Sequence, residues 1–400
     1  MMLLLDAKAL EDQIVTWRRQ LHQIPEVGIH LPKTQEALCS ILDSMGASYR
    51  LHRGTSGIEV LIQGAPGGVV ALRADMDALP LREETGLPFA SQNGCMHACG
   101  HDGHMAMLLG AVALLQARRQ ALPGTVKCIF QPGEEGCGGA HAMIQEGVLE
   151  HPPVQAMFGL HVTGSVPELG PGVIGFKKGP LMAGSDSFSI TFFGRGGHIS
   201  EPEHVHNPLY AAARAVLRVE QLSNFWQAQP VPSVAAVGAI SAGEKSNVVP
   251  ERARLLGSVR TKNAQARQKI LDELRQAACQ AAAETGCRWD LELLESNPIV
   301  DNDTQVTECA VRALLGLFSE EGCTEITSNL MASDDISEFF SFCPGSYLHL
   351  GCGFGGETES VPLHSPRFCL NEAVLWRGSA ALAGCAIQWL QEHQEGKSSG

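Results

Sequence analysis

The run Cys99-Gly100-His101-Asp102-Gly103-His104 sets a thiol, two imidazoles and a carboxylate side by side, and Gln131-Pro132-Gly133 is followed by the acidic pair Glu134-Glu135. Thiolate and imidazole bind a borderline divalent ion such as zinc. Paired carboxylates offer one oxygen ligand and one free base, which is what activating water beside such an ion requires. The chemistry these residue types fit is metal-dependent hydrolysis. Cys99 and His101 are one residue apart and cannot share a helical face, but a tight loop through Gly100 aims both at one point. Alone, Cys99 reads as a small buried hydrophobe. Its surroundings, His97, His101 and His104 with glycines at 94, 100 and 103, suit a loop that wraps an ion better than an ordinary helix.

Adjacent carboxylates repel, and on a surface such a pair is simply solvated. Here an apolar run delivers Glu134 and Glu135 to a strand end, where a cation would lower the cost of holding both charges. One glutamate can then bind metal while the other takes a proton from water. His161, in Phe158-Gly159-Leu160-His161-Val162, is a single histidine on an apolar strand, which could equally be a satisfied core residue. His364, between Leu363 and Ser365 in a proline-flanked loop, could equally be a surface side chain.

The elements that must carry these residues alternate. Helical periodicity runs over 10–23 and 33–46, and short apolar runs at 57–63 and 68–73, joined by Gly64-Ala65-Pro66-Gly67, predict a hairpin or two adjacent strands. A long apolar helix is expected from 103 to 120, with buried strands at 125–131 and 156–160. This is an α/β pattern, and Asp75, Glu134, Glu135 and His161 all fall just beyond strand ends, the rim where open α/β sheets bind ligands. Between 184 and 295 the order becomes β-α-β-β-α-β, the signature of a ferredoxin-like sandwich of the size of an inserted domain. The chain is therefore read as a catalytic α/β domain, 1–183 with 296–400, whose mixed sheet is flanked by helices, plus an inserted α+β lid or dimerisation domain at 184–295. The polar stretch at 395–400 is read as frayed.

Composition narrows the function. With 400 residues, 44% hydrophobic and 18% charged, the chain has ordinary globular composition and room for two cores. A formal net charge of −14, with no compact run of Lys and Arg, argues against nucleic acid or an anionic membrane as partner and in favour of a small molecule. Thirteen cysteines without regular spacing are no disulfide framework, and the residues after Met1 lack the basic flank of a signal peptide, so a reducing cytoplasm is expected. No segment reaches the length needed to span a bilayer.

Taken jointly, Met96-His97-Ala98-Cys99-Gly100-His101-Asp102-Gly103-His104, Phe130-Gln131-Pro132-Gly133-Glu134-Glu135 and Gly159-Leu160-His161 resemble the aminoacylase and carboxypeptidase G group of dinuclear metallopeptidases. Within that group the similarity is to the amidohydrolase branch of hippurate hydrolases, N-acetyldiaminopimelate deacetylases and indole-acetyl-amino-acid hydrolases. It extends to Arg73-Ala74-Asp75-Met76-Asp77-Ala78-Leu79-Pro80, Gly196-Gly197-His198, Asn247-Val248-Val249-Pro250, Gly257-Ser258-Val259-Arg260 and His364-Ser365-Pro366, and so covers nearly the whole chain.

The resemblance implies that Cys99, His101, Glu135, His161 and His364 hold two divalent ions per subunit, zinc or manganese with cobalt or nickel also fitting, and that Cys99 bridges them. It implies Glu134 as general base, Asp77 as a support for the site (with Asp75 and His104 as further candidates for that role), His198 as donor to the developing oxyanion, and Asn247 and Arg260 as substrate holders. It also implies a homodimer formed through the inserted domain. The expected activity is cleavage of the amide of an N-acyl amino acid, with a dipeptidase or carboxypeptidase at the same centre as the alternative. The segment Ile199-Ser200-Glu201-Pro202-Glu203-His204-Val205-His206-Asn207 is more acidic and His-rich than the pattern, and no role is assigned to Asp334 or Asp335.

Overall fold

Eight-residue apolar runs that stay buried on both faces belong in the middle of a sheet covered by helices. In the computed structural model, which describes residues 2–354 and 361–394, the runs Gly68–Asp75, Gly124–Gln131 and Ala156–Thr163 take that position. The polar stretch at 395–400 lies outside the described residues. Two compact units are present, one made of Met1–Gly179, Asp301–Ser328 and Asp335–Gly400, the other of Pro180–Val300 and Asn329–Asp334.

The first unit is built on an eight-stranded mixed sheet in the order Tyr49–Leu51, Ile58–Gln63, Gly124–Gln131, Gly68–Asp75, Ala156–Thr163, Gly345–Gly351, Ile174–Phe176, Cys323–Glu325. The four central strands run parallel, and the antiparallel pairings lie toward the two edges. The hairpin or adjacent pair expected from 57–63 and 68–73 does not form. Gly124–Gln131 enters between them, antiparallel to Ile58–Gln63 and parallel to Gly68–Asp75. The turn residues serve that insertion: Gly64 and Ala65 donate their N–H groups to Gly124 and Leu122, tying the connection to the start of the incoming strand.

Helix His101–Gln116 is buried on nearly every side and packs against helices Glu11–His22 and Leu375–Glu392, which is why its sequence shows no polar face. Its start is set by Gly100, whose φ of 89° is left-handed and where a Cβ would collide with Val162. Both facts require glycine.

The second unit carries a four-stranded antiparallel sheet in the order Val234–Ala242, Arg252–Thr261, Gly184–Phe193, Arg288–Asn297. With helices Pro208–Gln227 and Ala264–Ala283 this is the ferredoxin-like arrangement. Phe188, Ile190 and Phe192 bury one sheet face against the alanine-rich sides of both helices. Asn207 and Asn263 cap the helices by accepting N–H groups of their first turns.

Candidate metal centre

Three strand ends and two loops of the first unit meet at one rim. Cys99 sits in the loop before Gly100, and His101 is the first residue of the buried helix, so the left-handed turn at Gly100 brings both side chains to the same side. Glu134 and Glu135 follow the Gly124–Gln131 strand. His161 lies inside the strand Ala156–Thr163 rather than beyond its end, and Asp75 is the last residue of its strand. His364 adopts a left-handed φ of 63° and is fixed by its N–H to the Ala98 carbonyl at 2.9 Å. That backbone is costly for a side chain other than glycine and persists where the surroundings hold it.

The ligating atoms form overlapping triads. Those of Cys99, His101 and His161 lie within 4.8 Å of one another, as do those of Cys99, Glu135 and His364. The Cys99 thiol is common to both, and it stands 3.5 Å from His161 Nε2. Glu135 Oε1 lies 3.2 Å from His364 Nε2, and Glu134 Oε2 lies 3.9 Å from His101 Nε2. Glu134 stands outside the two groups that share Cys99, although it joins His101 and Glu135 in a further one.

The hydrogen bonds assign the ring tautomers. His101 Nδ1 faces the Asp77 carbonyl at 2.8 Å and His161 Nδ1 faces the Val162 carbonyl at 2.6 Å, so both rings carry a proton on Nδ1 and turn Nε2 toward Cys99. His101 Nε2 is buried with no hydrogen-bond partner among the described residues. Asp77, fully buried, accepts the N–H groups of Glu134 and Glu135 at 2.9 and 3.0 Å, so one aspartate supports both the acidic pair and His101.

Electrostatics point the same way. Burial pushes the Cys99 thiol up to about 12, although the His101 ring pulls it down. Burial opposes charge on His101, but Asp75 and Cys99 override it and hold the ring well above its ordinary value. Burial drives His161 well below its ordinary value and leaves it neutral. Glu135 is buried yet held below the usual carboxylate range by His364 and His101, while its hydrogen bond raises His364. A thiol this hard to ionise, a buried ring nitrogen without a partner and a clustered carboxylate are what a divalent cation would satisfy together. The donor set of sulfur, nitrogen and oxygen suits a divalent transition-metal ion.

The family model for peptidase family M20/M25/M40 matches residues 71–388, a span that holds every residue of both triads. The chain belongs to peptidase family M20/M25/M40. It is 34% identical to thermostable carboxypeptidase 1 of Saccharolobus solfataricus, across 96% of this chain and 97% of that protein. It is also 34% identical to N-acetylcysteine deacetylase of Bacillus subtilis, across 95% of this chain and 97% of that protein. A Bacillus subtilis crystal structure described as a dinuclear metal binding peptidase of the M20 family superposes with a TM-score of 0.80 at 32% identity, covering 96% of this chain and 99% of that one. The resemblance drawn from the motifs and the fold class read from the order of elements both hold: this is an M20 enzyme, with a helix-flanked mixed sheet and an α+β second unit.

Three candidates belong to the second unit. His198 is exposed in the two-residue strand Gly197–His198, opposite Val248, with Nδ1 2.7 Å from Ser200 Oγ. Asn247 lies beside it and accepts the Ile199 N–H at 3.3 Å. Arg260, near the end of its strand, contacts Ser333 through Nη1.

Sequence reasoning passed over several residues. Asp335 accepts from Arg73 Nη2 at 2.9 Å, Gln131 Nε2 at 2.8 Å and Ala140 N at 3.0 Å, all of them buried. Arg18 and His22, on helix Glu11–His22, hold Asp102 at 2.6 and 2.7 Å. A signal for the first group existed: an arginine inside an otherwise apolar buried strand needs partners.

Proposed function

We propose that this M20 enzyme is a metal-dependent amidohydrolase that cleaves the amide of an N-acyl amino acid, giving a carboxylate and a free amino acid. The observation that carries the reading is the Cys99 thiol shared by two triads, with Glu134 standing beside them. In this reading Cys99, His101 and His161 hold one divalent ion and Cys99, Glu135 and His364 the other. Zinc or manganese is proposed, and cobalt or nickel would fit the same donors. When bound, the ions supply Lewis acidity that polarises the acyl carbonyl and makes water acidic enough to be deprotonated.

The chain's own residues do the rest. Glu134, outside the two triads that share Cys99, takes a proton from the attacking water on its carboxylate. The water oxygen bonds to the carbonyl carbon, the C–N bond breaks, and Glu134 returns the proton to the departing nitrogen. Asp77 orients this base by holding the Glu134 and Glu135 N–H groups. His198 is proposed as a donor to the developing oxyanion, and Asn247 and Arg260 as holders of the substrate, Arg260 for a free carboxylate. A homodimer through the second unit is part of the same proposal.

The N-acetylcysteine deacetylase relative supports the acyl-amino-acid reading, while the carboxypeptidase relative keeps peptide cleavage at the same centre as the second one. The test is hydrolysis of N-acetyl, N-benzoyl and N-indoleacetyl amino acids beside dipeptides, with chelator-stripped protein reloaded with zinc or manganese and Glu134→Ala as control. Metal-restored turnover of acyl amino acids, absent in the variant, is expected. Turnover of dipeptides alone would replace this reading with the peptidase.

A further inference from the structure

The backbone of Val162 is held at both of its polar groups. Its carbonyl accepts the Nδ1 proton of His161 at 2.6 Å, and its N–H donates to His104 Nε2 at 2.9 Å. His104 Nε2 is therefore an acceptor, and its proton sits on Nδ1, which donates to Asp75 Oδ1 at 2.5 Å. Asp75 in turn receives Arg73 Nη1 on Oδ2 at 2.8 Å, and Arg73 reaches on to Gln131 Oε1 and Asp335 Oδ1 at 2.8 and 2.9 Å. His104, Asp75, Arg73, Gln131 and Asp335 are all buried, so water does not compete for these bonds. The chain of contacts touches the metal-ligand set at His161, whose ring it backs with His104 at a centroid distance of 4.5 Å. Glu135 and His364 contact each other instead, Oε1 to Nε2, at 3.2 Å.

We infer that His104 is a positioning residue for His161, acting through the backbone of Val162 and its packing on the His161 ring, and that its loss weakens the ion position of Cys99, His101 and His161 while sparing that of Cys99, Glu135 and His364. The inference rests on the dinuclear reading proposed above. Its physical basis is that a ligating imidazole keeps its tautomer and ring angle only while the group bonded to its other nitrogen stays in place. Here that group is the Val162 carbonyl, and His104 holds the Val162 N–H, which belongs to the peptide joining His161 to Val162 and so fixes the backbone that carries the ring. Asp75, although 3.7 Å from His101 Nε2, is occupied by Arg73 and His104 and serves as an anchor.

The test is a calorimetric zinc titration of the chelator-stripped full-length chain, wild type against His104→Asn and His104→Gln. Asparagine can keep the donor to Asp75 but lacks the acceptor for Val162, whereas the glutamine amide oxygen reaches further and supplies an acceptor. In His104→Asn, one of two zinc equivalents is expected to weaken by about 10- to 100-fold, the usual range for a lost partner of a ligand, with the other unchanged. His104→Gln is expected to recover most of that loss. Nitrogen NMR of the metal-free wild type needs no variant to fold: His104 should show Nε2 as the nitrogen that accepts the Val162 N–H. Equal weakening of both equivalents, no weakening, or a His104 protonated on Nε2 overturns the inference alone. A wild type that holds fewer than two ions overturns the dinuclear reading and this inference with it.

Discussion

The carbonyl oxygen of Asp77 accepts the Nδ1 proton of His101 at 2.8 Å, while the carboxylate of the same aspartate accepts the N–H groups of the acidic pair. A single buried residue thereby sets the tautomer of one proposed ligand and the position of the proposed base. It does so from a loop directly after the Gly68–Asp75 strand, so the distance between base and ligand depends on the stiffness of the sheet.

Replacing Asp77 with Asn removes one of its two acceptor oxygens and turns an amide N–H toward a backbone N–H. A loss of about 10- to 100-fold in metal affinity or activity is expected. Zinc titration and kinetics on the same preparation check this; a drop in melting temperature with affinity and turnover intact would count against it.

Removal of the shared thiol should differ from removal of an unshared ligand. Cys99→Ala is expected to weaken both zinc equivalents together, and Glu135→Ala only one. Calorimetric titration reads the two patterns directly, and loss of a single equivalent in Cys99→Ala would show that the thiol does not bridge.

Metal loading should release protons and strengthen as pH rises. The Cys99 thiol lies at about 12 and the His101 ring well above its ordinary value, so both are protonated at neutral pH and a cation must displace those protons. Binding enthalpies measured in buffers of different ionisation enthalpy should diverge. Identical values across buffers would rule the displacement out.

Acid should erode the contribution of Asp102. Burial opposes its charge, but Arg18 and His22 hold its carboxyl well below the usual range, so the folded value is depressed relative to the unfolded chain. The stabilisation is then present above the ordinary carboxyl value of about 4 and lost as pH falls through the depressed one. Asp102→Asn leaves Arg18 buried with a lost partner, at a cost of about 3 kcal/mol near neutral pH, at the low end because Glu372 still lies 3.2 Å from Arg18 Nη1. In urea unfolding the gap between wild type and variant should shrink toward pH 2; a gap independent of pH would refute the assignment.

Much of this centre is legible in the order of residues, because its chemistry depends on residue type. Cys99, His101, Glu134, Glu135, His161 and His364 each stand in a motif whose donors suit one task, and the β-α-β-β-α-β order is visible from periodicity between 184 and 295. Local signals also fixed Gly100, where only glycine tolerates the left-handed turn.

Sheet order was decided by tertiary structure. The runs 57–63 and 68–73 look like partners from their connecting turn, yet the run 124–131, buried along nearly its whole length, lies between them in the middle of the sheet. The same holds for the buried polar network. Arg73, Gln131 and Asp335 are separated by up to 262 positions in the chain, and no period or motif links them. What joins them is that a charge taken out of water must find its counter-charge wherever the fold brings one. The sequence alone determined which chemistry the chain could carry; the packing of distant segments decided which side chains hold that chemistry in place.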